Sequence, residues 1–271
     1  PAHCGYSDGK LNKTLSLRTS VRCHWCGNPL QNSEARRGFP RQCAHWLGMT
    51  VSFCTILQRG DSTMKPCIIF GAAGFDGLLC PIPENALTIA ADGGLRHTQA
   101  LGLGPDVILG DFDSLGYVPE GAQVFPVEKD DTDSMLAAKR GLQMGCDRFV
   151  FYGALEGPRL DHTVANFQTL QFLADRDAKA VLVGKDTLVT VLKNGEMRLP
   201  ALEEGTVSVF CQGGEASGVR LQGLHYPLEN GTLSVGFPLG VSNHLIGKAA
   251  SISVEKGSLL VFYPRKAGLC I

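Results

Sequence analysis

The pattern of apolar and polar positions between residues 64 and 193 predicts strands that alternate with helices. Short apolar runs end in glycine or aspartate, and apolar residues spaced three or four apart mark the segments between them. The predicted strands are Pro66–Phe70, Leu87–Ala91, Asp106–Leu109, Arg148–Tyr152 and Ala180–Val183, and the predicted helices are one ending near Leu101, one over about 132–144 and one over Asp161–Ala174. Such alternation is typical of βαβ units, so we expect residues 64–193 to form a three-layer α/β domain with a mostly parallel sheet covered on both faces.

The pattern changes after about Lys193. Short alternating or apolar runs follow one another at 207–210, 219–224, 232–235, 251–255 and 259–263, without any helix-length period. The glycine-rich segments Gln212–Gly214 and Glu229–Gly231 are predicted to be turns between them. We therefore expect residues 194–271 to form an antiparallel β-sandwich.

Residues 1–63 differ from the rest in composition. They contain eight Lys or Arg against three Asp or Glu, five of the ten cysteines and both tryptophans, and they show no sustained period. We expect a non-native or disordered extension, translated from upstream sequence, with Met64 as the natural start. A zinc site at Cys23, Cys26, Cys43 and His45 is the alternative, although the spacing of the second pair is irregular for such a site.

Composition and charge exclude several classes of protein. Hydrophobic residues make up 44% and charged residues 19%, which predicts a packed core, and a net charge of −1 argues against a dedicated nucleic-acid binder. No apolar run approaches the roughly 20 residues of a membrane span, and no secretory signal pattern is present. The cysteines from Cys67 onward are scattered, which favours a reduced cytoplasm. We expect a cytoplasmic protein that binds neither membrane nor nucleic acid.

Aspartates follow the predicted strands at their carboxyl ends. Asp92 follows the second strand, Asp111 and Asp113 follow the third, and Asp133 lies at the start of the next helix. In open α/β sheets ligands bind at this edge, and carboxylates gathered there repel one another unless a cation lies among them. Oxygen ligands alone suit Mg²⁺. The alternative is that these residues are helix caps and turn formers, as we expect for Asp130 or Asp131 at the start of that helix.

A second candidate site lies in the segment Gly153–His162. A strand enters a glycine-containing loop and then a helix, whose N-terminus is a natural anion site. Arg159 offers a planar fork for phosphate oxygens. Asp161 could instead be an N-cap, and His162 could instead bond to the backbone.

Four motifs and a later dipeptide carry a resemblance to a known family. They are A-D-G-G at Ala91–Gly94, P-D-x-I-x-G-D-F-D-S at Pro105–Ser114, K-D-D-T-D at Lys129–Asp133, R-L-D-H-T at Arg159–Thr163, and Ser242-Asn243. In order and spacing, over about residues 64–271, the chain resembles the thiamine pyrophosphokinases.

The resemblance implies an activity, an assembly and a set of site residues. Members transfer a diphosphate from ATP to the hydroxyethyl group of thiamine, release AMP and work as homodimers with the site shared between chains. By resemblance, the Mg²⁺–triphosphate site is lined by Asp92, Asp111, Asp113 and Asp133. The implied nucleotide or phosphate contacts are Gly93, Gly94, Arg96, Arg159, Asp161 and His162. Ser242 and Asn243, which we expect in a turn, are the implied contacts to the pyrimidine ring of thiamine.

The sequence departs from the family pattern in two places. The usual G-G-R appears here as Gly157-Pro158-Arg159, in a loop that is one residue longer than in the family. Both tryptophans precede Met64, so none follows to stack on thiamine. Asp113 is the best candidate for a general base. Two other functions remain open, namely a Mg²⁺-dependent diphosphokinase for another alcohol, such as a hydroxymethylpterin, and a non-catalytic nucleotide-binding module.

Overall fold

The computed structural model describes residues 65–270, except for Ser114, Val127 and Lys129. The predicted extension at 1–63 and the candidate zinc ligands lie outside the described residues, as do Ser114 and Lys129 of the family motifs.

The described residues form thirteen strands and three α-helices. The strands are β1 Lys65–Phe70, β2 Leu87–Ala91, β3 Val107–Gly110, β4 Gln123–Val124, β5 Cys146–Tyr152, β6 Lys179–Val183, β7 Thr187–Lys193, β8 Glu196–Leu199, β9 Thr206–Gln222, β10 Leu228–Ser234, β11 Gly240–His244, β12 Ala250–Ser253 and β13 Lys256–Pro264. The helices are α1 Leu95–Ala100, α2 Asp133–Gln143 and α3 Leu160–Ala174, with 3₁₀ turns at Asp92–Gly94 and Arg265–Ala267.

Half of the sheet is parallel, as the sequence predicts. Its strand order is β4-β3-β2-β1-β5-β6, and every neighbouring pair is parallel. The five predicted strands and the two longer predicted helices are confirmed with ends shifted by two residues or fewer. Because these strands are all parallel, the carboxyl ends of β2 and β3, on one side of β1, and of β5, on the other side, lie at the same edge of the sheet.

Alternate residues of the central strands contribute to two cores. On β1, Cys67 and Ile69 pack in one core with residues of α2 and α3, such as Ala137 and Leu170. Ile68 and Phe70 pack in the other, which extends through β7, β9, β12 and β13 and is bordered by the 71–86 loop. Both faces of the parallel strands are therefore covered, which is why these strands are apolar at nearly every position.

The sheet continues beyond β6 through antiparallel strands. β7 pairs with β6, β13 with β7, and β9 with β13. The prediction of a turn at Gln212–Gly214 is wrong, because β9 runs through it. Gly213 and Gly214 take φ values of 83° and 95°, and the β13 register shifts beside them, so the glycines bend one long strand. The first part of β9 pairs with β13 and β11, and its last part pairs with β10 and β12.

Other local predictions are also corrected. Glu229–Gly231 is not a turn but lies within β10, where Asn230 has a φ of 50° at a register shift. Ser242 and Asn243 lie within β11 and not in a turn. Four strands, β4, β7, β8 and β11, were not predicted, because they are short or follow the preceding strand too closely for a separate apolar run to be seen.

The finer architecture and the domain division stay predictions. Strand pairing is continuous across the predicted boundary at 193/194, through β7 and β13. The chain is thus a mixed, sheet-rich α/β structure with an antiparallel C-terminal region. Among the described residues, none of the helices has the length and apolar character needed to cross a membrane.

Candidate active site

Three aspartates converge at the carboxyl edge of the parallel strands. Carboxylate oxygens of Asp92, Asp111 and Asp133 all lie within 4.8 Å of one another. Asp92 directly follows β2 and Asp111 directly follows β3, and these strands pair in parallel with Ala91 opposite Leu109. Asp133 begins α2. Three carboxylates this close repel one another, so the cluster suits a cation.

The glycines of the first two motifs allow the backbone to pack closely behind Asp92. Asp92 is only 8% exposed and has a φ of 46°. A Cβ on Gly94 would lie 1.8 Å from the carbonyl oxygen of Phe70, and one on Gly110 would lie 3.0 Å from Cα of Asp92. Gly93 is buried with them. The predicted nucleotide contacts of Gly93 and Gly94 stay predictions. The close packing against Phe70 already explains why residue 94 is a glycine.

Asp113 lies beside the cluster without belonging to it. Its side chain is exposed, and its backbone N–H donates to Oδ1 of Asp111 at 3.3 Å. That bond positions the Asp111 carboxylate, while the Asp113 carboxylate is left at the cavity surface.

A cavity of about 560 Å³ opens over the aspartates. Its lining residues are Ala72, Ala73, Asp92, Asp111, Asp113, Asp131, Thr132, Asp133, Ala154, Gly157, Pro158, Arg159, His162 and Thr163. The cavity therefore brings together the four predicted metal-site aspartates with Arg159 and His162. Gly93, Gly94, Arg96 and Asp161 do not line it. Ala72 and Ala73 were not predicted to line the cavity. The glycine-bounded segment Gly71–Gly74, which directly follows β1, could have indicated a loop at this edge of the sheet.

The start of α2 forms one side of the cavity. The Thr132 hydroxyl accepts a hydrogen bond from the Met135 N–H at 3.2 Å and is the N-cap. The prediction that Asp130 or Asp131 caps the helix is therefore wrong. Asp131 instead pairs with Lys139, whose Nζ lies 2.7 Å from both carboxylate oxygens. A Thr cap gives Asp133 its place in the first turn, where a carboxylate is favourable.

The start of α3 forms the opposite side. Arg159 donates from Nε and Nη2 to the two carboxylate oxygens of Asp161, at 3.2 and 2.5 Å. The guanidinium lowers the pKa of the Asp161 carboxyl, and the carboxylate raises the pKa of Arg159. Asp161 is therefore in the first turn of α3 and orients the arginine, and its side chain does not cap the helix. Both side chains are largely exposed, so the pair can exchange for a bound anion.

The two residues implied for thiamine lie in the antiparallel region. Ser242 is exposed with a φ of 60°. Asn243 is 4% exposed, and its amide bonds the backbone: Oδ1 accepts from the N–H groups of Tyr226 and His244 at 2.9 Å each, and Nδ2 donates to the Tyr226 carbonyl at 2.6 Å. Neither residue lines the acidic cavity. Their contacts to thiamine stay predictions.

Fold and site together define a class of protein. It is a mixed α/β protein with an acidic cavity at the carboxyl ends of parallel strands, extended by an antiparallel β region. A cavity of this kind, with three clustered carboxylates, one arginine and a helix N-terminus, has the groups to bind a phosphorylated ligand and a divalent cation.

Comparisons with known proteins identify the family within this class. The family model for the thiamin pyrophosphokinase catalytic domain matches residues 82–182, and that for the thiamin pyrophosphokinase vitamin B1 binding domain matches residues 195–259. The thiamine pyrophosphokinase of Bacillus subtilis is 29% identical over 187 residues, which are 66% of this chain and 87% of that protein.

Solved structures agree with the sequence comparisons. The Bacillus subtilis thiamine pyrophosphokinase superposes with a TM-score of 0.63 at 25% identity, over 74% of this chain and 98% of that one. The Geobacillus thermodenitrificans thiamin pyrophosphokinase gives 0.62 at 26% identity, over 74% and 97%. The yeast enzyme, at 14% identity, has a TM-score of 0.57 over 76% and 87% and shows the fold alone. This chain belongs to the thiamine pyrophosphokinase family, which is a family of enzymes.

Proposed function

We propose that this chain is a thiamine diphosphokinase, which transfers the diphosphate of ATP to the hydroxyethyl group of thiamine and releases AMP. The observation that carries the proposal is the clustering of Asp92, Asp111 and Asp133 in a cavity that Arg159 also lines. The matches to a catalytic and to a vitamin B1 binding family model support it.

The acidic cluster fits Mg²⁺ as its cation. Its donors are carboxylate oxygens only, and Mg²⁺ prefers such ligands together with waters and substrate phosphates. Asp92, Asp111 and Asp133 would hold the ion, with Asp113 next to them. A bound Mg²⁺ would supply positive charge to the ATP phosphate oxygens.

The reaction is a displacement at the β-phosphorus of ATP. A bond forms from the thiamine hydroxyl oxygen to the β-phosphorus, the bond from this phosphorus to the α,β-bridging oxygen breaks, and AMP leaves. Arg159 would leave Asp161 to bond phosphate oxygens and neutralise the charge that develops on them. Asp113 is exposed at the cavity and is the proposed acceptor of the hydroxyl proton, although a loose transition state needs little base assistance.

The thiamine site is proposed to form between two copies of the chain. Ser242 and Asn243 do not line the acidic cavity of their own chain, so a second copy would bring them to it. The antiparallel region also exposes six large apolar residues that a partner could cover. They are Tyr226, Val235, Phe237, Leu239, Val241 and Ile246. A homodimer with a shared site accounts for both observations. We propose that this homodimer is cytoplasmic, as predicted from the sequence.

The test is a substrate panel. Purified protein, ATP and MgCl₂ are incubated with thiamine or with a hydroxymethylpterin, and AMP release is measured. We expect AMP to form with thiamine only. The match of residues 195–259 to a vitamin B1 binding model favours thiamine over the pterin. AMP release with the pterin alone would contradict the proposal, and binding of ATP without any AMP would favour a non-catalytic module.

A further inference from the structure

The loop from Gly153 to Arg159 is bonded to the turn that follows β6. Oε2 of Glu156 accepts a hydrogen bond from the backbone N–H of Lys185 at 3.0 Å. Glu156 has a φ of 61°, a conformation that residues other than glycine adopt only when their surroundings impose it. The contact is close, because a Cβ on Gly184 would lie 2.9 Å from Oε1 of Glu156. The glutamate thus fixes the middle of the loop.

The residues on either side of Glu156 line the acidic cavity. Ala154 precedes it, and Gly157, Pro158 and Arg159 follow it. The start of the loop has its own support, since Nδ2 of the buried Asn166 on α3 donates to the Ala154 carbonyl at 2.7 Å. The hydrogen bond between Glu156 and the Lys185 N–H supports the part of the loop between Ala154 and Arg159. Glu156 therefore supports the loop that leads to Arg159, whose guanidinium is bonded to Asp161.

The same turn is bonded to a second wall of the cavity. Arg265, just after β13, donates from Nη1 to the Gly184 carbonyl at 2.8 Å and from Nη2 to the Gly77 carbonyl at 2.7 Å. Its backbone N–H donates to the Asp186 carbonyl at 2.8 Å. Gly77 belongs to the 71–86 loop, whose Ala72 and Ala73 line the cavity. One arginine from the C-terminal segment thus bridges the turn after β6 and this loop.

The two loops are also bonded to each other at their bases. The N–H of Ala73 donates to the Gly153 carbonyl at 2.8 Å, and the N–H of Gly71 donates to the Tyr152 carbonyl at 2.8 Å. A Cβ on Gly71 would lie 2.5 Å from the Gly153 carbonyl oxygen, so the two backbone segments are in direct contact. The two loops are therefore held together at their bases, beside the cavity that both line.

We propose that Glu156 and Arg265 are positioning residues for ATP, which hold two walls of the cavity to the turn at Gly184–Asp186. They act through Arg159 and the Ala72–Ala73 wall and do not touch the phosphates themselves. The proposal rests on the proposed function for its ligand. It assigns a role to a residue of the 153–159 loop and connects the C-terminal segment to nucleotide binding.

The test compares Glu156→Ala, Glu156→Gln and Arg265→Ala with two controls, Glu196→Ala and Arg198→Ala. The controls remove exposed residues of β8 that form their own ion pair. Binding of Mg·ATP is measured by calorimetry, KM for ATP and for thiamine by AMP release, and folding by urea unfolding. We expect Glu156→Ala and Arg265→Ala each to weaken ATP binding and raise its KM about three- to tenfold, with the thiamine KM within about twofold.

The conservative variant separates positioning from general stability. Glu156→Gln keeps an oxygen that can accept the Lys185 N–H, so it should restore ATP affinity to within about twofold of the wild type. Glu156→Gln as weak as Glu156→Ala would overturn the role of this hydrogen bond. Unchanged ATP affinity in Glu156→Ala and Arg265→Ala, even with lowered unfolding midpoints, would show that both residues serve stability alone.

Calorimetry keeps this inference distinct from the proposed function. A wild-type protein that binds Mg·ATP but forms no AMP with thiamine would contradict the proposed function, while the affinities of the variants would still decide the roles of Glu156 and Arg265. A wild-type protein that binds no Mg·ATP would overturn both.

Discussion

The substitution Asn243→Ala is expected to lower the free energy of unfolding, whether or not a ligand is bound. The amide makes three bonds to the backbone of Tyr226 and His244, and the side chain is 4% exposed. Each such bond contributes about 0.5–1.5 kcal/mol net. Tyr226 is 60% exposed, so water can replace part of what is lost there. The free energy of unfolding should therefore fall by about 2–3 kcal/mol, in the lower half of the range of about 1.5–4.5 kcal/mol for three bonds.

The assay is urea unfolding followed by circular dichroism, with Ser242 variants as matched controls. Ser242→Ala removes an exposed hydroxyl and should change stability by less than about 0.5 kcal/mol. Ser242→Gly should be more stable by about 0.5–1 kcal/mol, because glycine adopts the φ of 60° without strain. If Asn243→Ala kept wild-type stability and raised only the KM for thiamine, the hydrogen bonds of the amide to the backbone would not stabilise the fold, and the argument would be refuted.

Three further predictions concern the cavity and the N-terminal segment. Asp111→Asn should lower turnover about 100-fold and Asp113→Asn should lower it less, while the urea midpoint stays unchanged, since neither residue contributes to the apolar core; near-normal turnover of Asp111→Asn at limiting Mg²⁺ would refute the metal site. NMR titration should place the pKa of Asp161 below the usual value of about 3.9, so that its ion pair persists above the folded-state pKa and is lost as pH falls through it; Arg159→Ala should raise this pKa, because the largest cause of its lowering is removed, and no change on this substitution would contradict the pairing. Deletion of residues 1–63 should leave turnover within about twofold, because all the cavity-lining residues given above lie beyond this segment; an inactive truncation would argue that the segment takes part.

The parallel half of the fold could be predicted because its strands are buried on both faces. Such strands are continuous apolar runs that end abruptly, as Leu87–Ala91 does before Asp92, so their limits are visible. The antiparallel half was predicted in type but not in detail. Glycines at Gly213 and Gly214 indicate a turn or a bend equally well, and only the pairing of β9 with strands on both sides decides between them.

The site was predicted where the chain brings residues together through strand order. Asp92 and Asp111 follow neighbouring parallel strands, so their proximity follows from topology. Side-chain partners could not be foreseen in this way. The bonds of Glu156 to Lys185 and of Arg265 to Gly77 join positions 29 and 188 residues apart, and nothing local marks either residue as a partner. The buried amide of Asn243 is a similar case.

The most direct test of the proposed activity follows the phosphorus atoms. ATP labelled at the β-phosphate is incubated with the protein, MgCl₂ and thiamine, and the products are separated and quantified. We predict that all transferred label appears in thiamine diphosphate, at the phosphorus bonded to the thiamine oxygen, with one AMP formed per product and about 100-fold slower formation of both with Asp111→Asn. Formation of ADP with label retained on the nucleotide, or of thiamine monophosphate, would contradict diphosphate transfer.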